Sequence, residues 1–542
     1  MEVISAVEID PPPTDARRRP PLLLVAVSVG IAVLFALPGA YVVWRAIDLG
    51  ADVHDLSGEV LAPLWRTVQL AVLVSATTAV IGTGMAWLIV RTDLPLRRVW
   101  AVLAPLPLVF PTFVGAAAFL FGLAPDGLLH DLLELVGIDP PRRFRGLGAA
   151  WLVLSLFTYP YVYLPVAARL AALRPDLDES ARLLGDTPPR VFFRVVLPQV
   201  KTSILAGTLL VFLYTTSDFG AVQLLGYDTL TRVIYATRLV DRAQSFAAAA
   251  TLLLLAVTVV VIERRARGHV PISTRMADRA NRPVPLRWWK VPAFAATGAV
   301  MLLALVVPLA SLAEWAWRGI NRNGEPLSAL VDELSDLSGP ARTTASLGVV
   351  TAVVAVGVVL PVAVLVGRYR SRASGPINAT IVGGYAVPGL VIALSLVFWT
   401  LNVPGFARFY QTFALLVTAY VVHFGSQAMR ASELAVAGVP ERLRESARLL
   451  GAGPMRRLAT VELPLMRPGL LAGGGLVMLS TVKELPATLL LAPTGTRTLA
   501  TQVWGSYEDG FFADAGLAAL VLLLVSGVLT WLLVLRRAHH LA

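Results

Sequence analysis

Long apolar runs separated by short polar intervals dominate this chain. Stretches of about 18 or more mostly apolar residues recur, each long enough at about 1.5 Å per residue to cross a hydrocarbon core of roughly 30 Å. In the first half they lie near 21–44, 68–90, 99–121, 148–170, 203–225 and 246–263. In the second half they lie near 292–313, 343–367, 377–402, 412–430, 468–490 and 513–535. The pattern predicts an all-α, polytopic membrane protein with about twelve transmembrane helices. The run at 412–430 is the most polar of them, since it contains His423 and Gln427.

The polar intervals divide the chain. Residues 1–20, with Pro11-Pro12-Pro13 and mixed charge, predict a disordered cytoplasmic tail. Arg17-Arg18-Arg19 before an apolar run resembles a secretory signal, but the run is long and many more follow, so an uncleaved first span is expected. The interval 264–290 carries Arg264, Arg265, Arg267, Arg275, Arg279, Arg282, Arg287 and Lys290, interrupted by Pro271, Pro283 and Pro285. It reads as a cytoplasmic linker between two six-helix halves, 21–263 and 291–542, with Trp288-Trp289 suited to lie against lipid.

Composition agrees with membrane residence: 56% of the 542 residues are hydrophobic and 15% charged. The net charge of +11 raises a nucleic-acid partner, but its distribution excludes one. With the N-terminus in the cytoplasm and alternating spans, 32 of the 46 Lys/Arg and 15 of the 35 Asp/Glu fall on the cytoplasmic side. The basic excess is therefore topology, as the positive-inside rule requires, and both termini are expected in the cytoplasm. Cysteine is absent, which removes disulfides, thiol catalysis and thiolate metal sites. The six histidines are scattered and form no His-Glu-x-x-His pair, so no metal site is predicted.

One polar interval occurs twice. Glu-Ser-Ala-Arg-Leu-Leu-Gly spans Glu179–Gly185 and again Glu445–Gly451, an offset of 266 residues. Nine residues after each glycine comes Val-x-Leu-Pro: Val195-Val196-Leu197-Pro198 and Val461-Glu462-Leu463-Pro464. Each copy predicts a short helix with an acid at its N-terminal end, stopped by glycine, then a second short helix before the proline that opens the next span. The halves agree elsewhere, with Arg66-Thr67 set against Arg342-Thr343, and Asp218 and Glu484 each 39 residues beyond the glutamate of the motif. Six spans per half is an even number, so the repeat is parallel and encloses one pathway at the interface.

At these residues the chain resembles the permease subunits of binding-protein-dependent ABC importers, whose signature reads Glu-Ala-Ala, three residues, Gly, nine residues, Ile-x-Leu-Pro. Both copies here keep that spacing with conservative changes. The resemblance implies coupling loops at 175–200 and 441–466, with Glu179, Ser180, Ala181, Gly185, Leu197 and Pro198 in one and Glu445, Ser446, Ala447, Gly451, Leu463 and Pro464 in the other. It implies two ATP-binding subunits at the cytoplasmic face, an extracytoplasmic substrate-binding protein, and a bacterial inner-membrane location among lipid. ATP would be bound by the partners. The only Lys followed by Ser or Thr is Lys201-Thr202, outside any phosphate-loop pattern, so no ATPase site or cofactor is expected in this chain.

For cargo, Ser217–Thr231 and Lys483–Leu491 resemble the segments after the fifth span of each half in ferric-iron permeases. Ferric iron is the expected cargo, with thiamine, polyamine or an oxyanion as alternatives, and a proton-coupled carrier as the reading from another class. Asp218 and Glu484 are candidates for the pathway or gate, as hard oxygen donors at membrane depth or as caps of broken helices, with Lys483 available as a pairing cation. Tyr227 and Asp228 are expected to shape an outer gate loop.

Overall fold

The computed structural model describes residues 20–50, 58–173, 181, 183, 185, 187–266, 283–321, 326–369 and 371–532. Glu179 and Ser180, the tail before residue 20 and most of the linker lie outside the described residues. Among the described residues the secondary structure is helical, apart from one isolated parallel bridge between Thr92 and Val284.

Among the described residues, nine helical segments are long and apolar enough to cross a membrane, and two bent pairs raise this to 11. The helix Phe413–Ala437 has 25 residues and packs in the second half as Pro160–Ala172 does in the first. His423, Gln427 and Arg430 dilute its hydropathy, and counting it among the described residues brings the number to about the expected twelve.

Two of those spans are not straight. Arg97–Val109 and Thr112–Gly122 meet at 97°, and Ser374–Ala386 and Gly389–Asn402 at 106°. Pro111 and Pro388 occupy the two breaks, where a missing N–H and the ring clash prevent a continuous helix. The fifth spans also end earlier than their apolar runs. Leu197–Ser217 stops before Asp218 and Leu463–Val482 before Lys483, and the remaining apolar residues form separate short helices, Gly220–Leu224 and Pro486–Leu491.

Each half is built on three mutually packed helices. In the first they are Leu61–Arg91, Pro160–Ala172 and Leu197–Ser217; in the second, Pro326–Arg368, Phe413–Ala437 and Leu463–Val482. Small residues let the fourth and fifth spans approach closely, the usual basis of helix association in lipid. A Cβ at Gly207 would stand 2.7 Å from the Tyr161 carbonyl oxygen, and one at Gly473 2.6 Å from the Ala431 Cβ. These glycines are also 266 residues apart.

The first span of each half packs on the other half. Leu22–Asp48 lies against Pro326–Arg368, Ser374–Gly383 and Gly389–Asn402, with the Phe35 ring over Gly425 and the Pro38 carbonyl accepting from Ser395 Oγ at 2.9 Å. Val307–Ile320 lies against Thr112–Gly122, where Trp315 Nε1 donates to the Phe121 carbonyl at 3.0 Å and Glu314 accepts from the Leu128 amide at 2.8 Å. The exchange interlocks the halves.

The end of the linker is anchored. Val284 donates to the Arg91 carbonyl at 2.8 Å and accepts from the Asp93 amide at 3.1 Å. Asp93 also accepts from the Leu286 amide at 2.8 Å and pairs with Lys290 at 2.7 Å. Trp288 and Trp289 follow as a stacked, exposed pair with ring centroids 4.2 Å apart.

Candidate functional site

The two proline breaks face one another across the interface between the halves, and a cavity of about 180 Å³ lies there. Pro111 and Thr112 reach it from the first bent span, Tyr385 and Gly389 from the second, and Asp218 and Glu484 from the ends of the fifth spans. Tyr161, Tyr214, His423, Gln427, Ser480 and Lys483 add polar groups to its wall.

The carboxylates occupy equivalent places but are held differently. Asp218 Oδ1 accepts from the amides of Ala221 at 3.1 Å and Val222 at 3.4 Å, capping the Gly220–Leu224 helix, and Oδ2 is hydrogen-bonded by Thr112 Oγ1. Both oxygens are therefore engaged, and the residue is 7% exposed. Glu484 Oε1 likewise accepts from the Ala487 amide at 3.1 Å at the start of Pro486–Leu491. Its counterpart to Thr112 is Gly389; both residues directly follow the break proline, 277 positions apart. A Cβ there would stand 2.9 Å from Glu484 Oε1 and 3.1 Å from His423 Nε2, so the longer acid occupies space that glycine vacates. Lys483 is not paired with Glu484. Its Nζ donates across the interface to the Leu108 carbonyl at 2.8 Å, at the end of the first broken helix.

Tyr227 and Asp228 lie apart from this cavity. Tyr227 Oη donates to Gln69 at 3.1 Å, and Asp228 pairs with Arg66 at 3.4 Å and with Arg232, so both fasten the turn before Leu230–Thr237 to the start of the second span. Thr67 Oγ1 accepts from the Leu230 amide at 2.9 Å, and Thr344 Oγ1 accepts from the Leu499 amide at 2.8 Å. The residue equivalent to Thr67 is thus Thr344 and not Thr343, a correction of one position that restores the 277-residue offset of the breaks.

At the cytoplasmic end the second repeated loop forms the helix Glu441–Leu449. Ala447 faces inward, whereas Glu445 and Ser446 are exposed. The helix closes on Gly451 at φ +79°, with the Ala452 amide bonded to the Ala447 carbonyl and the Gly451 amide to the Arg448 carbonyl, both at 3.0 Å. That geometry satisfies the last carbonyls and needs a left-handed residue. Gly185 in the first copy has φ +91°. Leu449 and Leu450 are 88% and 87% exposed, and Leu183, the counterpart of Leu449, is 88% exposed.

The expected second short helix is instead the first turns of the fifth span. Pro454–Val482 runs through a π turn at Leu458–Glu462, and Pro188–Ser217 through one at Phe192–Val196. Pro464 and Pro198 follow these turns and have no N–H for the carbonyl four residues back; a wider turn absorbs the lost bond. This accounts for the Leu-Pro of Leu197-Pro198 and Leu463-Pro464.

A charge cluster missed in the sequence lies beneath the second loop. Glu462, 1% exposed, pairs with Arg368 at 2.6 Å and Arg444 at 3.5 Å and accepts from Arg457 Nε at 3.0 Å. The carboxylate joins the end of the second span, the loop helix and the fifth span. Its counterpart in the first half is Val196, and that of Arg444 is Asp178, which lies outside the described residues.

Residues 78–264 and 359–538 each match the family described as binding-protein-dependent transport system inner membrane component. An Fe(3+)-transport system permease protein of Haemophilus influenzae is 29% identical over 524 residues, covering 95% of this chain and 98% of the relative. A molybdenum transport system permease protein of Azotobacter vinelandii is 31% identical over 172 residues, 32% of this chain and 75% of its own. A 2-aminoethylphosphonate transport system permease protein of Salmonella choleraesuis, itself named as putative, is 27% identical over 251 residues, 43% of this chain and 87% of its own.

Proposed function

This chain belongs, in each of its halves, to the binding-protein-dependent transport system inner membrane components, and from that premise we propose that it forms the translocation pathway of an ATP-driven importer for ferric iron. The family is that of multi-pass inner-membrane transport subunits; the cargo, the partners and the orientation of the termini belong to the proposal. The observation that carries it is the pair of exposed leucine tips on the repeated loops, one in each half, which suits docking by two ATP-binding subunits. Closure of those subunits on ATP would draw the loops together, and the rigid fifth spans would carry that movement to Asp218 and Glu484. An extracytoplasmic binding protein would deliver the cargo.

Three considerations favour a ferric cargo. The iron-transport relative matches end to end, whereas the molybdenum and phosphonate relatives match less than half of this chain. Two carboxylates line the cavity, and Glu484 with three phenols offers hard oxygen donors that suit a small trivalent cation. An oxyanion would meet those carboxylates with one ammonium, Lys483, already held by a carbonyl. The volume of about 180 Å³ is also smaller than the roughly 300–1,000 Å³ of pockets for organic ligands such as thiamine.

The test is reconstitution with an ATP-binding subunit recovered from the native membrane, followed by radioactive iron uptake with and without ATP. Gly451→Val would strain the left-handed turn by about 1–2 kcal/mol and is expected to lower iron uptake per ATP hydrolysed while leaving membrane insertion unchanged. Uptake driven by a proton gradient without ATP would refute the importer reading.

A further inference from the structure

The two carboxylates at the cavity are related by the repeat yet are built into unlike surroundings, and the difference lies in the residue after each break proline. In the first half that residue is Thr112, whose hydroxyl occupies one Asp218 oxygen while two backbone amides occupy the other. In the second half it is Gly389, which has no hydroxyl to give. Glu484 Oε1 caps the following helix, and Oε2 has no hydrogen-bond partner among the described residues while its side chain lines the cavity. The one ammonium nearby, Lys483 Nζ, is turned to the Leu108 carbonyl in the opposite half.

We propose that the pair has divided its work: Glu484 supplies the oxygen that meets a hard cation in the cavity, and Asp218 is a positioning residue that fixes the first-half break. The inference rests on the reading of the cavity as the path of a cation. Asp218 already accepts three hydrogen bonds: binding an ion through Oδ1 would uncap a buried helix, and binding through Oδ2 would compete with the Thr112 hydroxyl that ties it to the first-half break. Glu484 can coordinate through Oε2 while Oε1 keeps its cap. The phenols of Tyr161, Tyr214 and Tyr385, on the same wall, supply further hard oxygens.

Terbium(III), a trivalent oxygen-seeking ion whose emission is sensitised by nearby tyrosine, provides a probe independent of transport. In the purified full chain, wild type is expected to show tyrosine-sensitised emission that gallium(III) displaces. Glu484→Gln keeps the cap but removes the charge, and is expected to weaken that gallium-sensitive terbium binding by at least tenfold. Asp218→Asn can still accept from Ala221 and Val222 through Oδ1 and can donate to Thr112 through Nδ2, and is expected to bind terbium within threefold of wild type. A purely structural role for both acids would give no such split. Equal losses in the two variants, loss only in Asp218→Asn, or unchanged binding in Glu484→Gln would overturn the division.

Misfolding is checked with the double variant Gly389→Thr, Glu484→Asp, which rebuilds the first-half arrangement in the second. It is expected to remain folded and to lose terbium as Glu484→Gln does; retained binding would count against the proposal. Iron uptake by the reconstituted wild type is the separate control. Failure there with an intact terbium split overturns the ferric cargo and leaves the division of roles standing.

Discussion

Neutralising Glu462 should release the second repeated loop from the helices it packs on. The carboxylate is 1% exposed and is shared by Arg368, Arg457 and Arg444, whose side chains are 10%, 22% and 11% exposed. Glu462→Gln preserves volume but leaves three guanidinium groups converging on a neutral amide. Removing one partner of a buried ion pair costs about 3–5 kcal/mol, and the partial exposure of the arginines places this case near the lower end, about 3 kcal/mol. At about 1.4 kcal/mol per factor of ten, that corresponds to a roughly 100-fold rise in the undocked population of the loop. The assay is amide hydrogen exchange in detergent or nanodiscs, which reads local opening directly. Amides of Glu441–Leu449 should exchange roughly 100-fold faster, and those of Leu499–Glu508, in the same half but away from the cluster, should not change. Exchange within threefold of wild type in Glu441–Leu449, or an equal acceleration in both helices, would refute the reasoning.

Two further outcomes follow from the same geometry. Leu449→Ser with Leu450→Ser should leave thermal stability unchanged, because both side chains are exposed within this chain, yet weaken association with the ATP-binding subunit by well over tenfold, since each buried leucine contributes roughly 1.5–3 kcal/mol; a pull-down titration reads it. Asp93, whose carboxyl the Lys290 hydrogen bond holds below the ordinary aspartate range, stabilises the linker anchor at neutral pH. That contribution is fully present above the ordinary aspartate pKa and is lost as pH falls through the lowered one. Proteolytic accessibility around residues 284–290 should therefore rise only in strong acid, and Asp93→Asn should show the same accessibility at neutral pH.

Much of this architecture is legible in the apolar periodicity, and what is not has identifiable physical causes. A single proline inside an apolar run leaves the hydropathy unchanged, so Pro111 and Pro388 do not announce bends of 97° and 106°. The fifth spans overran their ends for the same reason: Phe219–Leu225 and Leu485–Leu491 are as apolar as the helices they leave. The most polar run, around His423 and Gln427, has both of these side chains on the cavity, so the feature that lowers its hydropathy coincides with the cavity wall. Glu462 was hidden in the unspecified position of Val-x-Leu-Pro, and its three arginines come from segments up to 94 residues away. Two threonines, Thr343 and Thr344, follow Arg342 in succession, and the hydrogen bond to the Leu499 amide selects between them. The phenols of Tyr161, Tyr214 and Tyr385 carry no motif at all; the fold alone brings them to one wall.

The exchanged first spans already hold the halves together, so the covalent tie through residues 264–290 is not needed as glue. Its effect is on stoichiometry. Two separate genes for such halves could yield assemblies with two copies of either, lining the path with two threonine-bound aspartates or two glycine-facing glutamates. One continuous chain forbids both. Every assembled cavity receives one of each, and the halves are thereby free to diverge.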